Sequence, residues 1–133
     1  MPFLIATIAY CSFLFYLSSI PSFPVPPPFP YFDKLVHFCL FGGLSATLAV
    51  GLHRARHEYN HKTLFVVPVV FSAFYGLSDE IHQVFVPGRT FAVSDIAADA
   101  LGSAAAVAFL LFVYHVKNNR PKTSPTIINR RLR

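Results

Sequence analysis

Four long apolar stretches restrict the folds that are open to this 133-residue chain. The first, Phe3 to Ile20, holds eighteen residues without a single charged side chain. Three more stretches follow at about residues 34–52, 63–86 and 96–116. A helix that crosses a bilayer needs about 20 mainly apolar residues, so each stretch is long enough for one crossing. We therefore predict an all-α fold, a polytopic membrane protein built as a four-transmembrane-helix bundle.

The amount and the placement of charge agree with this prediction. Only 13% of the residues are charged and 54% are hydrophobic, whereas a soluble domain carries about 25% charged residues. The net charge of +5 does not indicate a nucleic-acid partner, because six of the eleven Lys and Arg residues follow Tyr114 in a tail without acidic residues. The expected partner is the lipid bilayer, with no nucleic acid.

The connections between the apolar stretches also follow from residue type. Residues 21–30 contain six prolines and should form an extended connector. Asp33 is placed to cap the second helix, the third opens at Thr63, and Ser94 or Asp95 can cap the fourth. Residues 1–116 then form one transmembrane domain, and residues 117–133 form a basic tail that we expect to be disordered along anionic lipid.

The basic residues predict how the bundle is oriented. Nine of the eleven lie in the 53–62 loop or in the tail, and the opposite side holds only Lys34 and Arg89. Cytoplasmic loops of membrane proteins carry an excess of Lys and Arg. We therefore expect a multi-pass protein of the inner or plasma membrane with both termini in the cytoplasm.

Five of the six acidic residues fall at the outer ends of helices in this topology. Three polar pairs are each spaced four residues apart, so both members of a pair share one helix face. The pairs are Asp33 with His37, Asp79 with Gln83, and Asp95 with Asp99. Polar groups at membrane depth normally face the bundle interior and find partners there. The predicted polar cluster comprises Asp33, Lys34, His37, Asp79, Glu80, His82, Gln83, Arg89, Asp95 and Asp99.

Small residues on two of the helices predict a close approach of their backbones. Residues without bulky side chains allow membrane helices to pack tightly. The predicted packing positions are Gly42 and Gly43 on the second helix and Ala98, Gly102 and Ala106 on the fourth.

These residues together resemble a known family. The segment Asp33-Lys34-Leu35-Val36-His37-Phe38, the motif Asp79-Glu80-x-x-Gln83 with Pro87-Gly88-Arg89, and Ser94-Asp95 with Asp99 and Gly102 are similar to those of the VanZ-like family. This family of small bacterial membrane proteins is named for a protein associated with low-level teicoplanin resistance. The resemblance covers about residues 33–103 and implies a membrane protein of the bacterial cell envelope. It implies no particular reaction.

The predicted cluster contains side chains that metal ions bind. Asp79, Glu80, His82, His37 and Asp99 are of the right types. Their spacing matches no known metal motif, because His-Glu-x-x-His is absent and positions 79–82 point around a helix rather than to one face. The sequence therefore favours an ion-pair network, and it predicts no metal and no cofactor.

Three functions fit the polar cluster. The first needs the fewest assumptions: a binding or accessory protein that exposes a pocket to a glycopeptide or to a lipid-linked cell-wall precursor. An acid–base enzyme acting on such a precursor or on a lipid head group would use Glu80 or Asp99 to move protons and Arg89 to hold phosphate, although no nucleophile stands out. A proton or ion relay would need a homo-oligomer, since four helices without an internal repeat make a poor transporter alone.

Overall fold

The structure is a computed structural model that describes residues 2–22, 27–55 and 60–119. These residues contain four α-helices. They are α1 (Pro2–Ser18), α2 (Phe32–Ala55), α3 (His61–Gln83) and α4 (Val93–Asn118). No strand occurs within these described ranges. The predicted all-α four-helix bundle is therefore confirmed. Most of the predicted tail, the middle of the Pro-rich connector and residues 56–59 of the 53–62 loop lie outside the described residues.

Three of the helices are long and apolar enough to cross a membrane. α2, α3 and α4 contain 24, 23 and 26 residues with mean hydropathies of 1.8, 1.5 and 2.1. Large apolar side chains such as Phe74 and Phe109 remain 69% and 66% exposed, as expected for a surface that contacts lipid rather than water. The chain is a helical membrane protein.

α1 is shorter than its apolar sequence predicted. It has 17 residues, or about 26 Å at 1.5 Å per residue, against a hydrocarbon core of about 30 Å. Its last turn closes where Ser19 N–H donates to Phe15 O at 3.0 Å. Pro21 has no N–H and restricts the residue before it, so the helix ends before Ile20.

Two of the predicted helix caps are wrong. Asp33 lies inside the first turn of α2, which begins at Phe32. α4 begins at Val93 with Ala92 at the N-cap, and neither Ser94 nor Asp95 serves as its cap. The backbone N–H of Ala92 has its hydrogen-bond partner on another helix, because it donates to Glu80 Oε2 on α3 at 2.8 Å.

The limits of α3 also differ from the prediction. The helix begins at His61, two residues before Thr63, because the side chain of Asn60 caps it and accepts from Thr63 N–H at 2.8 Å. It ends at Gln83 rather than at residue 86, since Phe85 N–H turns back to His82 O at 3.0 Å. The chain then makes a short connection to α4.

α2 is the central helix of the bundle and packs against the other three. Its closest approach is to α4, where a Cβ added to Gly42 would lie 3.0 Å from Gly102 O and 3.5 Å from the Ala106 Cβ. A Cβ on Gly102 would collide with the backbone of Phe38. Gly43 instead faces α1, where the Tyr10 hydroxyl occupies the space beside it. α1 packs against α2 and α3, and not against α4 within the described residues.

Buried serines join the three long helices at mid-height. Ser103 Oγ on α4 donates to Ser72 Oγ on α3 at 2.8 Å, and Ser72 Oγ donates to Phe41 O on α2 at 3.1 Å. Ser45 Oγ on α2 donates to Ser103 O at 3.2 Å. All three hydroxyl side chains are fully buried. Interhelical hydrogen bonds of this kind stabilise helix pairs in lipid, where water is absent.

Candidate functional site

Polar side chains from three helices meet at one end of the bundle, which we call the site end. α1 and α3 end there, and α2 and α4 begin there. The carboxylate cluster, as we name it, consists of His37 from α2, Glu80 from α3, and Asp95 and Asp99 from α4. Glu80 and Asp99 have no exposed surface, and Asp95 is 6% exposed. These side chains lie among helices and not on the lipid-facing surface, as expected for polar groups at membrane depth.

His37 is the centre of the carboxylate cluster. Its Nδ1 lies 3.0 Å from Asp99 Oδ1, within hydrogen-bonding distance. Its Nε2 lies 3.9 Å from Glu80 Oε1 and 4.0 Å from Asp95 Oδ2. The imidazole nitrogens therefore lie within 4.0 Å of an oxygen of each of the three carboxylates. This convergence depends on the close packing of α2 and α4, because the backbone of Phe38, the residue after His37, contacts Gly102.

Lys34 supplies the positive charge nearest to the cluster. Its Nζ lies 2.6 Å from Asp95 Oδ1 and 2.6 Å from Asp33 Oδ2. The Asp33 side chain is 60% exposed, while that of Asp95 is only 9% exposed. Lys34 thus connects a solvent-facing acid to a buried one, and Asp33 lies at the rim of the site and not inside it.

Asp79 and Gln83 form a separate pair on α3. Gln83 Nε2 donates to Asp79 Oδ2 at 3.0 Å, as their four-residue spacing allows. Both side chains are buried. They face a cavity beside the carboxylate cluster instead of bonding to it.

His82 does not join the predicted cluster. Its Nε2 lies 3.1 Å from Ser19 Oγ, and its ring lies 4.6 Å from the ring of Phe15. Position 82 follows position 80 by about 200° around a helix, so the side chain points away from that of Glu80. His82 packs α3 against the end of α1. The sequence placed His82 in the polar cluster, and the structure places it outside that cluster.

Arg89 also lies apart from the carboxylates. Its Nε and Nη2 donate to Ile20 O and Leu17 O, both at 3.3 Å. These carbonyl groups lie at the end of α1, where the regular helical N–H donors run out; Leu17 O also accepts from Ile20 N–H at 3.3 Å. Gly88 has a φ of +76° and approaches Ser22 closely, which brings the loop onto this segment. Arg89 therefore fixes the 84–92 connection to α1.

A cavity of about 250 Å³ lies between Arg89 and the carboxylate cluster. One wall comes from α1, with Ser18 among its side chains, and the others come from α2 and α3. Ser18 is 5% exposed, and its hydroxyl has no hydrogen-bond partner among the described residues. The lining residues are Leu14, Leu17, Ser18, Ile20, Val36, His37, Leu40, Phe41, Asp79, Gln83 and Arg89.

The sequence did not indicate that α1 contributes to this site. Its helix is apolar on every side, and it carries no charged residue. The adjacent Ser18 and Ser19 were the only polar signal at its end. Serines in membrane helices commonly bond to their own backbone, as Ser19 does to Phe15 O. Two such serines therefore give no sign of a cavity without the fold.

One family model covers most of the chain, including the residues that meet at the site end. The family model described as VanZ/LLP1 matches residues 3–114. The chain belongs to the VanZ/LLP1 family. The match includes α1, the whole carboxylate cluster and the cavity, and it ends within α4.

One relative of this VanZ/LLP1 protein is a protein of Schizosaccharomyces pombe that is described as uncharacterized. The two are 34% identical over 100 residues, which is 75% of this chain and 56% of the yeast protein. The chain therefore spans little more than half the length of that relative. No solved structure matches the chain.

Proposed function

We propose that this VanZ/LLP1 protein binds the head group of an envelope lipid or lipid-linked precursor in the cavity at its site end. Through that binding it alters the cell envelope, and its effect on glycopeptide susceptibility, including that to teicoplanin, is one consequence. The observation that carries the proposal is a cavity with apolar walls that contains both a cationic side chain, Arg89, and an unpaired hydroxyl, that of Ser18. A lipid needs apolar walls for its acyl chains and polar groups for its head group, and this cavity has both.

Among the polar groups of the cavity, Arg89 suits an anionic head group, while the Asp79 carboxylate that also lines it is bonded to Gln83. Arg89 uses two of its N–H groups on α1 carbonyls, and a guanidinium has five N–H donors in a fixed fork. The remaining donors suit a phosphate, which guanidinium groups bind in bidentate fashion. Ser18 Oγ and Gln83 add neutral groups nearby. The apolar side chains of α1 and α2 provide the surface for the start of an acyl chain.

The proposed orientation places this cavity on the outer side of the membrane. The positive-inside rule supports it, since the site end carries only Lys34 and Arg89 among the basic residues. The relative in a yeast favours a lipid head group over a bacterial cell-wall precursor, because membrane lipids are common to both kinds of cell.

Binding is tested with the purified chain in nanodiscs that contain lipids of its host membrane. Native mass spectrometry would measure the lipid retained by the wild type and by Arg89→Ala. We expect retention to fall at least about tenfold, because a charge-assisted hydrogen bond contributes about 1.5–3 kcal/mol. Arg54→Ala is the matched control, since Arg54 is an exposed arginine at the opposite end of α2. Equal retention by both variants would reject a head-group site at Arg89.

The same variants test the cellular effect. Glu80→Gln, Asp99→Asn and Arg89→Ala are each expected to abolish a resistance or envelope phenotype while the protein still accumulates in the membrane. If they fail to accumulate, the polar side chains are structural and the proposed site is wrong. Arg54→Ala should keep the phenotype at the wild-type level.

A second candidate function is acid–base catalysis on the bound lipid. The observation that favours it is that His37 both lines the cavity and lies 3.0 Å from buried Asp99. An imidazole oriented by a carboxylate is a common general base. Profiling of lipids and precursors with and without the protein separates the two functions. A new or depleted species that depends on Asp99 favours catalysis, whereas unchanged chemistry with altered glycopeptide binding favours the binding function.

A further inference from the structure

We infer that His37, Glu80 and Asp95 form a binding site for one divalent transition-metal ion, of the zinc or manganese class. One donor atom from each of the three side chains lies within 4.8 Å of the others. The donors are one imidazole nitrogen and two carboxylate oxygens, a set that suits these ions. This inference goes beyond the proposed function and does not rest on lipid binding.

The distances fit an ion at the centre of the three donors. His37 Nε2 lies 3.9 Å from Glu80 Oε1 and 4.0 Å from Asp95 Oδ2. A point equidistant from donors that are separated by 3.9–4.8 Å is about 2.3–2.8 Å from each, against about 2.0–2.2 Å for Zn²⁺ with nitrogen or oxygen ligands. Shifts of a few tenths of an ångström in three side chains close this difference.

An unpaired buried oxygen points into the centre of this site. Glu80 has no exposed surface, and its Oε1 has no hydrogen-bond partner among the residues that the structure describes. The other oxygen of the same carboxylate accepts from Ala92 N–H, which fixes the group. A buried carboxylate oxygen without a partner carries a cost of several kcal/mol unless a cation or proton neutralises it.

Asp99 provides the outer support that histidine ligands usually have. Metal-binding histidines commonly donate their second ring N–H to a carboxylate, which fixes the tautomer and the ring orientation. His37 Nδ1 lies 3.0 Å from Asp99 Oδ1, so its Nε2 is left facing Glu80 and Asp95. Asp99 is a positioning residue in this arrangement and not a ligand.

The charges of the site match a doubly charged ion. Glu80, Asp95 and Asp99 carry three negative charges when ionised, and Lys34, at 2.6 Å from both Asp95 and the exposed Asp33, divides one positive charge between these two. With a neutral imidazole the buried site then carries between two and three negative charges, of which one divalent ion neutralises two. Buried charges are stable only when they are paired or bound to a metal. The exposed parts of His37 and Asp95, 11% and 9% of their side chains, provide the opening to the site.

The test measures metal binding by the purified, untagged full chain in detergent micelles. After chelator treatment, the protein is incubated with Zn²⁺ or Mn²⁺ and dialysed, and bound metal is counted by elemental analysis. We expect about one equivalent per chain of one of these ions. The amount of bound metal should fall at least tenfold in each of three ligand variants, Glu80→Gln, Asp95→Asn and His37→Gln. Asp99→Asn should lower the affinity by about 10–100-fold, the usual effect of losing such a supporting group.

Two controls separate this site from other sources of binding. Asp79→Asn removes a buried carboxylate that lies on α3 beside Glu80 and is not a ligand. This variant should still bind one equivalent of metal per chain. Co²⁺ added in place of Zn²⁺ should give visible absorption bands that His37→Gln removes, a signature that a loosely attached ion does not produce. Circular dichroism verifies that each variant is helical, and where one ligand variant does not fold the other two decide. Wild-type protein without bound metal, or equal binding by all variants, would overturn the inference.

Discussion

Replacing Gly102 by alanine tests whether the contact between α2 and α4 holds the carboxylate cluster together. A methyl group at this position collides with the carbonyl oxygen and the carbon atoms of the Phe38 backbone. Those atoms belong to a helix and cannot rotate away as a side chain does. The two helices must therefore separate by about 1.2–1.5 Å to restore an ordinary carbon–oxygen contact of about 3.3–3.6 Å.

The expected effect is the difference between two opposing contributions. Overpacking of a tight interface costs about 1–3 kcal/mol, while alanine stabilises a helix by about 1 kcal/mol relative to glycine. The net loss for Gly102→Ala is thus up to about 2 kcal/mol. Gly51→Ala is the matched control, because the atoms nearest to its added methyl group, the Cβ and ring of Phe3, belong to the first turn of α1, and the end of a helix shifts at lower cost than its centre. We expect that variant to lose less stability than Gly102→Ala, because the gain of about 1 kcal/mol for alanine over glycine in a helix offsets the smaller cost of shifting one helix end.

The free energy of unfolding is measured by titration with a denaturing detergent in mixed micelles, followed by circular dichroism. Gly102→Ala should unfold at a lower detergent fraction than Gly51→Ala, with a free energy of unfolding that is lower by up to about 2 kcal/mol. His37 and Asp99 lie on either side of the same contact, so metal and lipid binding should weaken in Gly102→Ala as well. A Gly102→Ala protein that is as stable as Gly51→Ala would refute the proposed role of this contact.

Three further predictions follow from other contacts. Ser103→Ala removes a hydroxyl that donates its one proton to Ser72 Oγ at 2.8 Å or to Phe41 O at 3.2 Å, and it should lower the free energy of unfolding by about 0.6–1.7 kcal/mol. Ser12→Ala affects only a bond within α1 and should change that free energy less; equal losses would contradict this assignment. Lys34→Gln removes the cation that competes for Asp95, so Co²⁺ titration should find a higher metal affinity, and a lower one would count against the charge balance inferred above. In a protein without its two native cysteines, Thr90→Cys should react with an impermeant maleimide from outside the cell and Lys62→Cys only after permeabilisation, while the reverse pattern would invert the predicted topology.

The sequence was sufficient for the helices and for most of the residues that meet at the site end. Apolar length and four-residue spacing depend on helix geometry alone, so they placed His37, Asp95 and Asp99 at one depth. The positions of Gly42 and Gly102 followed from the same reasoning. Depth along a helix is a property of position in the chain, and it needs no knowledge of neighbouring helices.

The partners of these residues could not be predicted in this way. Spacing fixes a side chain's direction only relative to its own helix, so the rotation of α3 that turns Glu80 inward and His82 toward α1 was not determined. Cap residues were expected next to the helices that they cap, whereas the N-cap of α4 bonds to a carboxylate twelve residues earlier. Arg89 was expected in the cluster because a cation suits acidic partners, but its guanidinium donates instead to the carbonyl groups of Ile20 and Leu17 at the end of α1.

The carboxylate of Glu80 joins two parts of the molecule that would otherwise be independent. One oxygen faces His37, and the other accepts the N–H of Ala92, at the end of the connection that carries Arg89. Because both oxygens belong to one rigid group, displacement of one moves the other. If both proposed sites bind their ligands, we therefore expect occupancy beside His37 and the position of the arginine at the cavity to be coupled. By reciprocity, a molecule bound at Arg89 would then change the affinity beside His37 by the same factor.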